Sequence, residues 1–175
     1  EWDFHVEDFM PERMALNLTP QAAPVAPDAD VTFGVSGAYL YGAPASGNQL
    51  QGKLFLRPLR DAVAALPGFQ FGDIAEENLS RSLDEVQLTL DEKGHGEVTT
   101  SSQWQDSHSP LQVVLQASLL EPGGRPVTRT VQQPIWPAEA LPGIRPQFTL
   151  KDVYDYRTDT TVKQPVVDEN SNAAF

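Results

Sequence analysis

The chain has 175 residues, enough for one ordinary domain with flanking segments, and it contains no cysteine. Its formal net charge of −12 argues against nucleic-acid partners, which need a basic surface, and against direct contact with anionic membrane lipid. The absence of cysteine excludes disulfides, thiolate metal ligands and cysteine nucleophiles. No apolar run in the sequence approaches the roughly 18 residues of a membrane-spanning helix.

Alternation of apolar and polar residues with a period of two predicts β-strands along most of the chain. Turn signals rich in glycine, proline and asparagine separate the alternating runs. About seven such runs between Met14 and Ile135 predict an antiparallel immunoglobulin-like sandwich, held by apolar burial alone because no disulfide is available. In chain order, the alternating runs start near Trp2, Met14, Val31, Leu50, Val86, Val98, Leu111 and Val127.

Residues 57–82, here called the excursion, interrupt the alternation. Apolar residues spaced i, i+4 and i+7 from Leu59 predict a short amphipathic helix that Pro67 and Gly68 would end. An aspartate followed three residues later by a glutamate resembles a capping pair and predicts a second short helix at Ile74–Arg81. The predicted fold class is therefore an all-β antiparallel sandwich with a short helical insertion.

The character of the sequence changes after Trp136 and Pro137. Prolines are dispersed through a polar segment, residues 138–175, that has few apolar pairs. This composition is typical of a linker and the opening of another unit. Both ends of the sequence look like cuts through a longer polypeptide, and any strand in the last segment would lack its partners or present an exposed edge.

No spacing of reactive side chains predicts a catalytic, cofactor-binding or metal site. The histidines are not at metal-ligand spacing, and adjacent carboxylates are typical of solvated turns rather than of a glycosidase pair. Residues 168–170 lack the order of a calcium loop, and residues 34–37 lack the nucleophile elbow of hydrolases. The residues considered and set aside are His5, His95, His108, Glu7, Asp8, Ser36, Glu76, Glu77, Asp84, Glu85, Asp91 and Glu92.

Three tryptophans are the remaining candidates for recognition. Trp2 and Trp136 stand at the two junctions of the predicted sandwich, where packing between units is the plainer role. Trp104 lies in a polar stretch rich in serine and threonine, so it is the one tryptophan that the sequence offers for surface recognition.

Two runs of the sequence carry specific motifs. Residues 4–14 contain an aromatic-x-Val-x-x-aromatic-x-Pro run, and residues 35–47 contain an aromatic-x-Tyr-Gly-x-Pro turn. The first run resembles the junction between successive macroglobulin (MG) domains, and the second resembles the second-strand signature of the same family, the bacterial α2-macroglobulins of the enterobacterial, thioester-containing lipoprotein type. Further similarity lies at the family's central hairpin, its last hairpin and the passage into the next domain: residues 91–94, 120–127, 135–137 and 142–145.

The resemblance implies a division of the chain into three segments. Residues 1–11 would be the last strand of a preceding MG domain, residues 12–137 a complete domain of the MG5 type, and residues 138–175 a linker with the start of the next domain. The excursion would pack on a neighbouring domain. We expect deletion of residues 60–81 to loosen that contact without unfolding the sandwich.

The resemblance also implies a function for a longer parent protein. That family is periplasmic and lipid-anchored at the inner membrane, and it traps proteases through a bait region and a Cys–Gln thioester. It is associated with a peptidoglycan-synthesising penicillin-binding protein. The thioester motif is absent from this sequence, so the implied role of the chain is a scaffold that contacts neighbouring MG domains, without enzymatic activity, cofactor or metal.

Two other classes of function remain open on the sequence. A binding module of an envelope or adhesin-like protein would need exposed aromatic residues clustered on one face, for which Trp104 is the candidate. A hydrolase domain would need a nucleophile beside a base, or paired carboxylates in a pocket, and the sequence shows no such spacing.

Overall fold

The computed structural model describes residues 11–22, 24–60, 62–73, 75–76, 79–138 and 140–167, together with the backbone of 172–174. These residues form strands and turns and no helix, which confirms the predicted all-β class. In chain order the strands are β1 Met14–Thr19, β2 Val31–Tyr39, β3 Gln49–Pro58, β4 Gln70–Phe71, β5 Arg81–Thr89, β6 His95–Thr100, β7 Leu111–Leu119, β8 Val127–Ile135, β9 Gly143–Arg145, β10 Phe148–Asp155, β11 Thr160–Val167 and β12 Asn172–Ala174.

Seven of these strands build an antiparallel sandwich, as the alternation predicts. One sheet has three strands in the order β1-β2-β6, and the other has four in the order β5-β3-β7-β8. Strand β3 is paired along its whole length with β7, from Leu50 opposite Leu119 to Pro58 opposite Leu111. Because β3 and β7 are internal strands with partners on both edges, they form the rigid centre of the molecule.

The core lies between the two sheets, and its alternating pattern is clearest on the internal strands β2 and β7. On β2, Val31, Phe33 and Val35 are buried while the residues between them are half-buried. Strand β7 repeats the pattern from Leu111 to Leu119. Burial of each large aliphatic or aromatic side chain stabilises the fold by about 1.5–3 kcal/mol, so the alternation itself fixes which face of each strand points inward.

The turn at residues 91–94 connects the two sheets. The Asp91 carboxylate accepts hydrogen bonds from the backbone N–H groups of Lys93 and His95, each at 2.8 Å. The hydrogen bond from His95 is the main reason why the pKa of Asp91 lies below its ordinary value. The resemblance to a central hairpin holds for the turn, but β5 and β6 belong to different sheets and are not hydrogen-bonded neighbours.

The predicted helical insertion is wrong for the described part of the excursion. The described residues between Leu59 and Gly68 form no helix and include turns, in which the N–H of Leu66 donates a hydrogen bond to the carbonyl of Val63 at 2.9 Å. Pro58 is the last residue of β3, and Pro67 ends the run, so only a few residues remain in which helical hydrogen bonds could form.

The second predicted helix, at Ile74–Arg81, is also not formed by its described residues. The Asp73 carboxylate accepts a hydrogen bond from the N–H of Ala75 at 2.8 Å, which closes a local turn instead of capping a helix. Arg81 is already the first residue of β5. Ile74, which the pattern placed in this helix, lies outside the described residues.

The residues after the sandwich form two further small sheets. Strand β9 lies between β4 of the excursion and β12, and β10 pairs with β11 in an antiparallel hairpin from Phe148 opposite Val167 to Asp155 opposite Thr160. Within the described part of the chain, no helix has the length and apolarity of a membrane crossing. The limits predicted for the three segments stay predictions.

Candidate functional site

The excursion is attached on one side to the loop between β6 and β7. The hydroxyl of Ser109 accepts a hydrogen bond from the N–H of Asp73 at 3.0 Å and donates one to its carbonyl at 3.1 Å. Gly72 makes this approach possible: its φ is +81°, and a Cβ there would lie 2.5 Å from the Cα of Ser109. Only glycine fits such a position without displacing the neighbouring backbone.

Glu76 adds a second attachment to the same loop. Its carboxylate accepts the backbone N–H of His108 with both oxygens, at 3.1 and 3.2 Å. Burial raises the pKa of Glu76, but hydrogen bonds from Ser109, Ser107 and the His108 backbone outweigh this effect and hold the pKa below its ordinary value. The ionised carboxylate therefore holds the excursion against the loop at neutral pH.

On its other side the excursion is attached to the segment that follows the sandwich. Gln70 pairs with Ile144 and Phe71 with Gly143, which forms the β4–β9 contact. A Cβ on Gly143 would lie 2.4 Å from a ring carbon of Phe71, so the phenyl ring occupies the space that any other residue would need. Glycine inside a strand commonly marks such a close approach.

Aromatic side chains cover this contact. The rings of Phe69 and Phe71 are 6.3 Å apart, and Phe71 meets Trp136 at 5.9 Å with a 58° tilt. The guanidinium of Arg145 lies 5.1 Å from the centre of the Phe69 ring, a cation–π distance. The side chain of Phe69 is buried, and Trp136 is half-buried. The described excursion thus has an aromatic cluster of its own, separate from the sandwich core.

A cavity of about 450 Å³ lies beside the excursion. Its apolar lining includes Leu59, Phe71 and Leu79, and its polar lining includes Asp73 and Glu76. Both of these carboxylates already accept structural hydrogen bonds. A general base must lie within hydrogen-bond distance of the proton that it abstracts, with its carboxylate available to accept it. The geometry of this cavity therefore fits a structural role, attachment of the excursion, better than a catalytic role.

Comparison with known proteins identifies the family. The family model described as the bacterial alpha-2-macroglobulin MG5 domain matches residues 12–137. The alpha-2-macroglobulin of Escherichia coli strain K12 is 75% identical over 174 residues, which cover 99% of this chain and 10% of that protein. The chain belongs to the bacterial alpha-2-macroglobulin family. It spans about one tenth of the length of the curated relatives it matches.

Solved structures of macroglobulins show the same fold. Salmonella alpha-2-macroglobulin reacted with methylamine is 79% identical, with 98% of this chain and 11% of that chain covered and a TM-score of 0.77. Trypsin-activated alpha-2-macroglobulin from E. coli is 75% identical, with 96% and 12% covered and a TM-score of 0.78. The recognition of a macroglobulin from the residues at 4–14 and 35–47 is therefore confirmed.

The histidines and acidic pairs of this macroglobulin domain are not brought together into one site where they are described. His95 is the first residue of β6, directly after the turn at residues 91–94, and His108 lies in the loop that holds the excursion. Asp84 accepts a hydrogen bond from the hydroxyl of Thr100 at 2.7 Å, and Glu85 pairs with Lys53 at 3.0 Å. Across the described residues, no group of three acidic or histidine side chains could hold a metal ion. His5, Glu7, Asp8, Glu77 and residues 168–170 lie outside the described residues.

Trp104 does not form the exposed recognition site that the sequence suggested. Its side chain is 1% exposed and belongs to the core cluster of the sandwich. Its Nε1–H has no hydrogen-bond partner among the described residues. Trp104 does not lie on a strand: it lies four residues beyond the end of β6, in the loop that leads to β7, so strand phase gave no guide to its burial. The binding-module alternative thereby loses its candidate aromatic residue.

The contacts that hold the excursion were not predicted from the sequence. Ser109 and Asp73 are 36 residues apart, and Phe71 and Gly143 are 72 apart, so no local pattern connects them. The one available signal was a glycine inside a short strand at position 143, next to a Pro-rich stretch.

Proposed function

We propose that the chain is a non-catalytic scaffold domain of a bacterial alpha-2-macroglobulin, and that the longer protein inhibits proteases by trapping them. The observation that carries the proposal is 75% identity to E. coli alpha-2-macroglobulin along 99% of the chain, within which residues 12–137 match the MG5 family model. Neighbouring MG domains of the same polypeptide are the direct partners of such a domain.

The polar groups of the excursion support the scaffold role over a catalytic one. The described carboxylates beside the cavity, Asp73 and Glu76, accept backbone N–H groups and stiffen the loop in which they lie. Ser109, the hydroxyl nearest to them, is bonded to the backbone of Asp73 as both donor and acceptor. Each group is used to fix a loop, which is the task of a domain that positions others.

The reactive parts of the trap would lie elsewhere in the longer protein. The chain has no cysteine, so it contains no thioester of the Cys–Gln kind, and the family's bait region has no counterpart that we recognise in it. Solved relatives include a trypsin-activated form and a form reacted with methylamine. We infer that the longer protein responds to proteases and amines in the same way, with this domain holding the reactive segments in position.

The cellular setting belongs to the same proposal. The resemblance to thioester-containing lipoproteins of enterobacteria favours a periplasmic protein with a lipid anchor at the inner membrane. It also favours association of the parent protein with a peptidoglycan-synthesising penicillin-binding protein. The acidic character of the chain, with a net charge of −12, fits a domain that makes no direct contact with anionic lipid.

A chimera tests the proposal. This chain would replace the corresponding residues of E. coli alpha-2-macroglobulin, and the chimera would be incubated with trypsin or methylamine. We expect a covalent trypsin complex on a denaturing gel and a methylamine adduct by mass spectrometry, at yields close to those of the unmodified protein. A matched chimera that carries Phe33→Ala in the sandwich core should lose trapping. A folded chimera without adduct and without trapping would contradict the proposed function.

A further inference from the structure

We propose that the excursion is a brace that fixes the direction in which the chain leaves the sandwich. The proposal concerns the described contacts of residues 57–82 and requires no protease and no thioester. It therefore stands or falls separately from the trapping function. A brace must be anchored at both ends and be stiff between them, and the structure meets these conditions.

The first anchor joins the excursion to the body of the sandwich. The hydroxyl of Ser109 is bonded to both backbone groups of Asp73, and the N–H of Leu59 donates to the carbonyl of Pro110 at 2.9 Å. Ser109 and Pro110 directly precede β7, an internal strand of the four-stranded sheet. The position of the excursion is thereby tied to a strand that is paired on both edges and buried in the core.

The second anchor joins the excursion to the departing chain. The β4–β9 pairing starts at Phe71, one residue before Gly72, so the two anchors are adjacent in sequence. Little chain lies between them to absorb motion. Pro142 and Pro146 flank β9 and restrict the backbone on both sides of the contact. The Phe71 ring fills the site of the missing side chain at Gly143 and contacts Trp136 at the end of the sandwich.

The decisive variant is Gly143→Ala, because its methyl group would collide with the Phe71 ring. Gly34→Ala is the matched control: Gly34 also lies in a strand, and a Cβ there meets only Thr19 at 3.7 Å, an ordinary contact. Adding Phe71→Ala to Gly143→Ala removes the ring and relieves the collision, although the anchor stays weakened. A double-mutant cycle over these two positions should therefore show strong non-additivity.

The absence of cysteine allows the direction of the chain to be measured with spin labels. Cysteines would be introduced at Gln116, exposed on β7, and at Ile144, exposed on β9, in the full 175-residue chain. Electron–electron distance measurements should give a narrow distribution in the wild-type chain and in Gly34→Ala, and a broad one in Gly143→Ala. Amide exchange at Gln70 and Phe71 should become faster in Gly143→Ala, on the order of tenfold, while exchange in β7 stays unchanged.

Two results would overturn the proposal. A broad distance distribution in the wild-type chain would show that the excursion does not fix β9. Equal distributions in Gly143→Ala and Gly34→Ala, with β7 still protected in both, would show that the contact between Phe71 and Gly143 does not set the direction. Loss of protection in β7 would mean that Gly143→Ala unfolds the sandwich. The test would then use Phe71→Leu, which replaces the ring by a smaller aliphatic side chain. A broad distance distribution in Phe71→Leu would support the proposal, and a narrow one would overturn it.

Discussion

The sandwich and the β10–β11 hairpin have the same kind of backbone pairing and opposite burial. In the sandwich, side chains such as Leu50, Phe33 and Leu115 are fully buried. In the hairpin, Phe148 is 59% exposed and Leu150 is 64% exposed, although all eight residues of β10 have partners on β11. Complete backbone pairing therefore does not imply burial of apolar side chains. The sandwich has both, whereas the hairpin has only the pairing.

The apolar side chains on one face of the hairpin have no covering layer among the described residues. The register places Phe148 opposite Val167 and Leu150 opposite Pro165, so these apolar side chains share one face. An isolated two-stranded hairpin is marginal in water and needs further strands or a packing layer to become stable. The sandwich supplies its own second layer, because its two sheets cover each other. The difference teaches that complete backbone pairing does not by itself make a region stable: alternation predicted the strands of the sandwich, whereas residues 138–175 were predicted to be a linker and the start of another unit.

The largest expected effect on stability comes from removing a buried ring from the sandwich, compared with removing an exposed ring from the hairpin. Phe33→Ala removes a fully buried ring from the sandwich core and should lower the free energy of unfolding by about 3–5 kcal/mol. Phe148→Ala removes an equal ring from the hairpin and should change it by less than about 0.5 kcal/mol. Urea unfolding followed by circular dichroism measures both. Equal losses would mean that the hairpin is as well packed as the sandwich.

Trp104 provides the next largest effect. Trp104→Phe leaves a small cavity without breaking a hydrogen bond of the described residues, so we expect a loss of about 1–2 kcal/mol in the free energy of unfolding. The half-buried Trp136, changed to Phe, is the matched control and should lose less. Tryptophan fluorescence of a chain in which both Trp2 and Trp136 are changed to Phe should show the buried indole of Trp104. An unchanged stability of Trp104→Phe would indicate an exposed role for this residue after all.

The turn at Asp91 should make a smaller, pH-dependent contribution. The pKa of Asp91 is lower in the folded chain than in the unfolded one, so its stabilising effect is present above the unfolded pKa and is lost as the pH falls through the folded one. Asp91→Asn keeps an acceptor for the two N–H groups but removes the charge. The urea midpoint of the wild-type chain should therefore fall more between pH 7 and about pH 3 than that of Asp91→Asn. Parallel pH profiles would contradict this assignment.

Removal of the hairpin should have the smallest effect. A chain that ends at Gln147 retains the sandwich, the excursion and β9 but lacks both the hairpin and β12, and its free energy of unfolding should stay within about 0.5 kcal/mol of the full chain. Differential scanning calorimetry of the two chains makes the comparison. A large loss of stability on truncation would show that the hairpin supports the sandwich, and the contrast between the two regions would fail.

Much of the sandwich was predictable because its information is local. Alternation from Met14 to Ile135 indicated seven strands, and the strands of the two sheets follow it. The excursion was not predictable, because local spacing suggested two helices, whereas the structure has turns there and a short strand, β4, between them that is formed by pairing with β9. Local propensity is a weak signal where a partner strand lies 72 residues away in sequence. Trp104 was misjudged for another reason: its polar neighbours suggested an exposed strand, whereas Trp104 lies in the loop after β6 and its side chain enters the core.

Native-state hydrogen exchange of the full chain tests the central comparison most directly. We expect the amides of β3 and β7 to exchange only through global unfolding. The amides of β10 and β11 should exchange at least about a hundredfold faster through local opening, despite their complete pairing. Similar protection in the two regions would contradict the account, because it would show that the hairpin is stable without a covering layer.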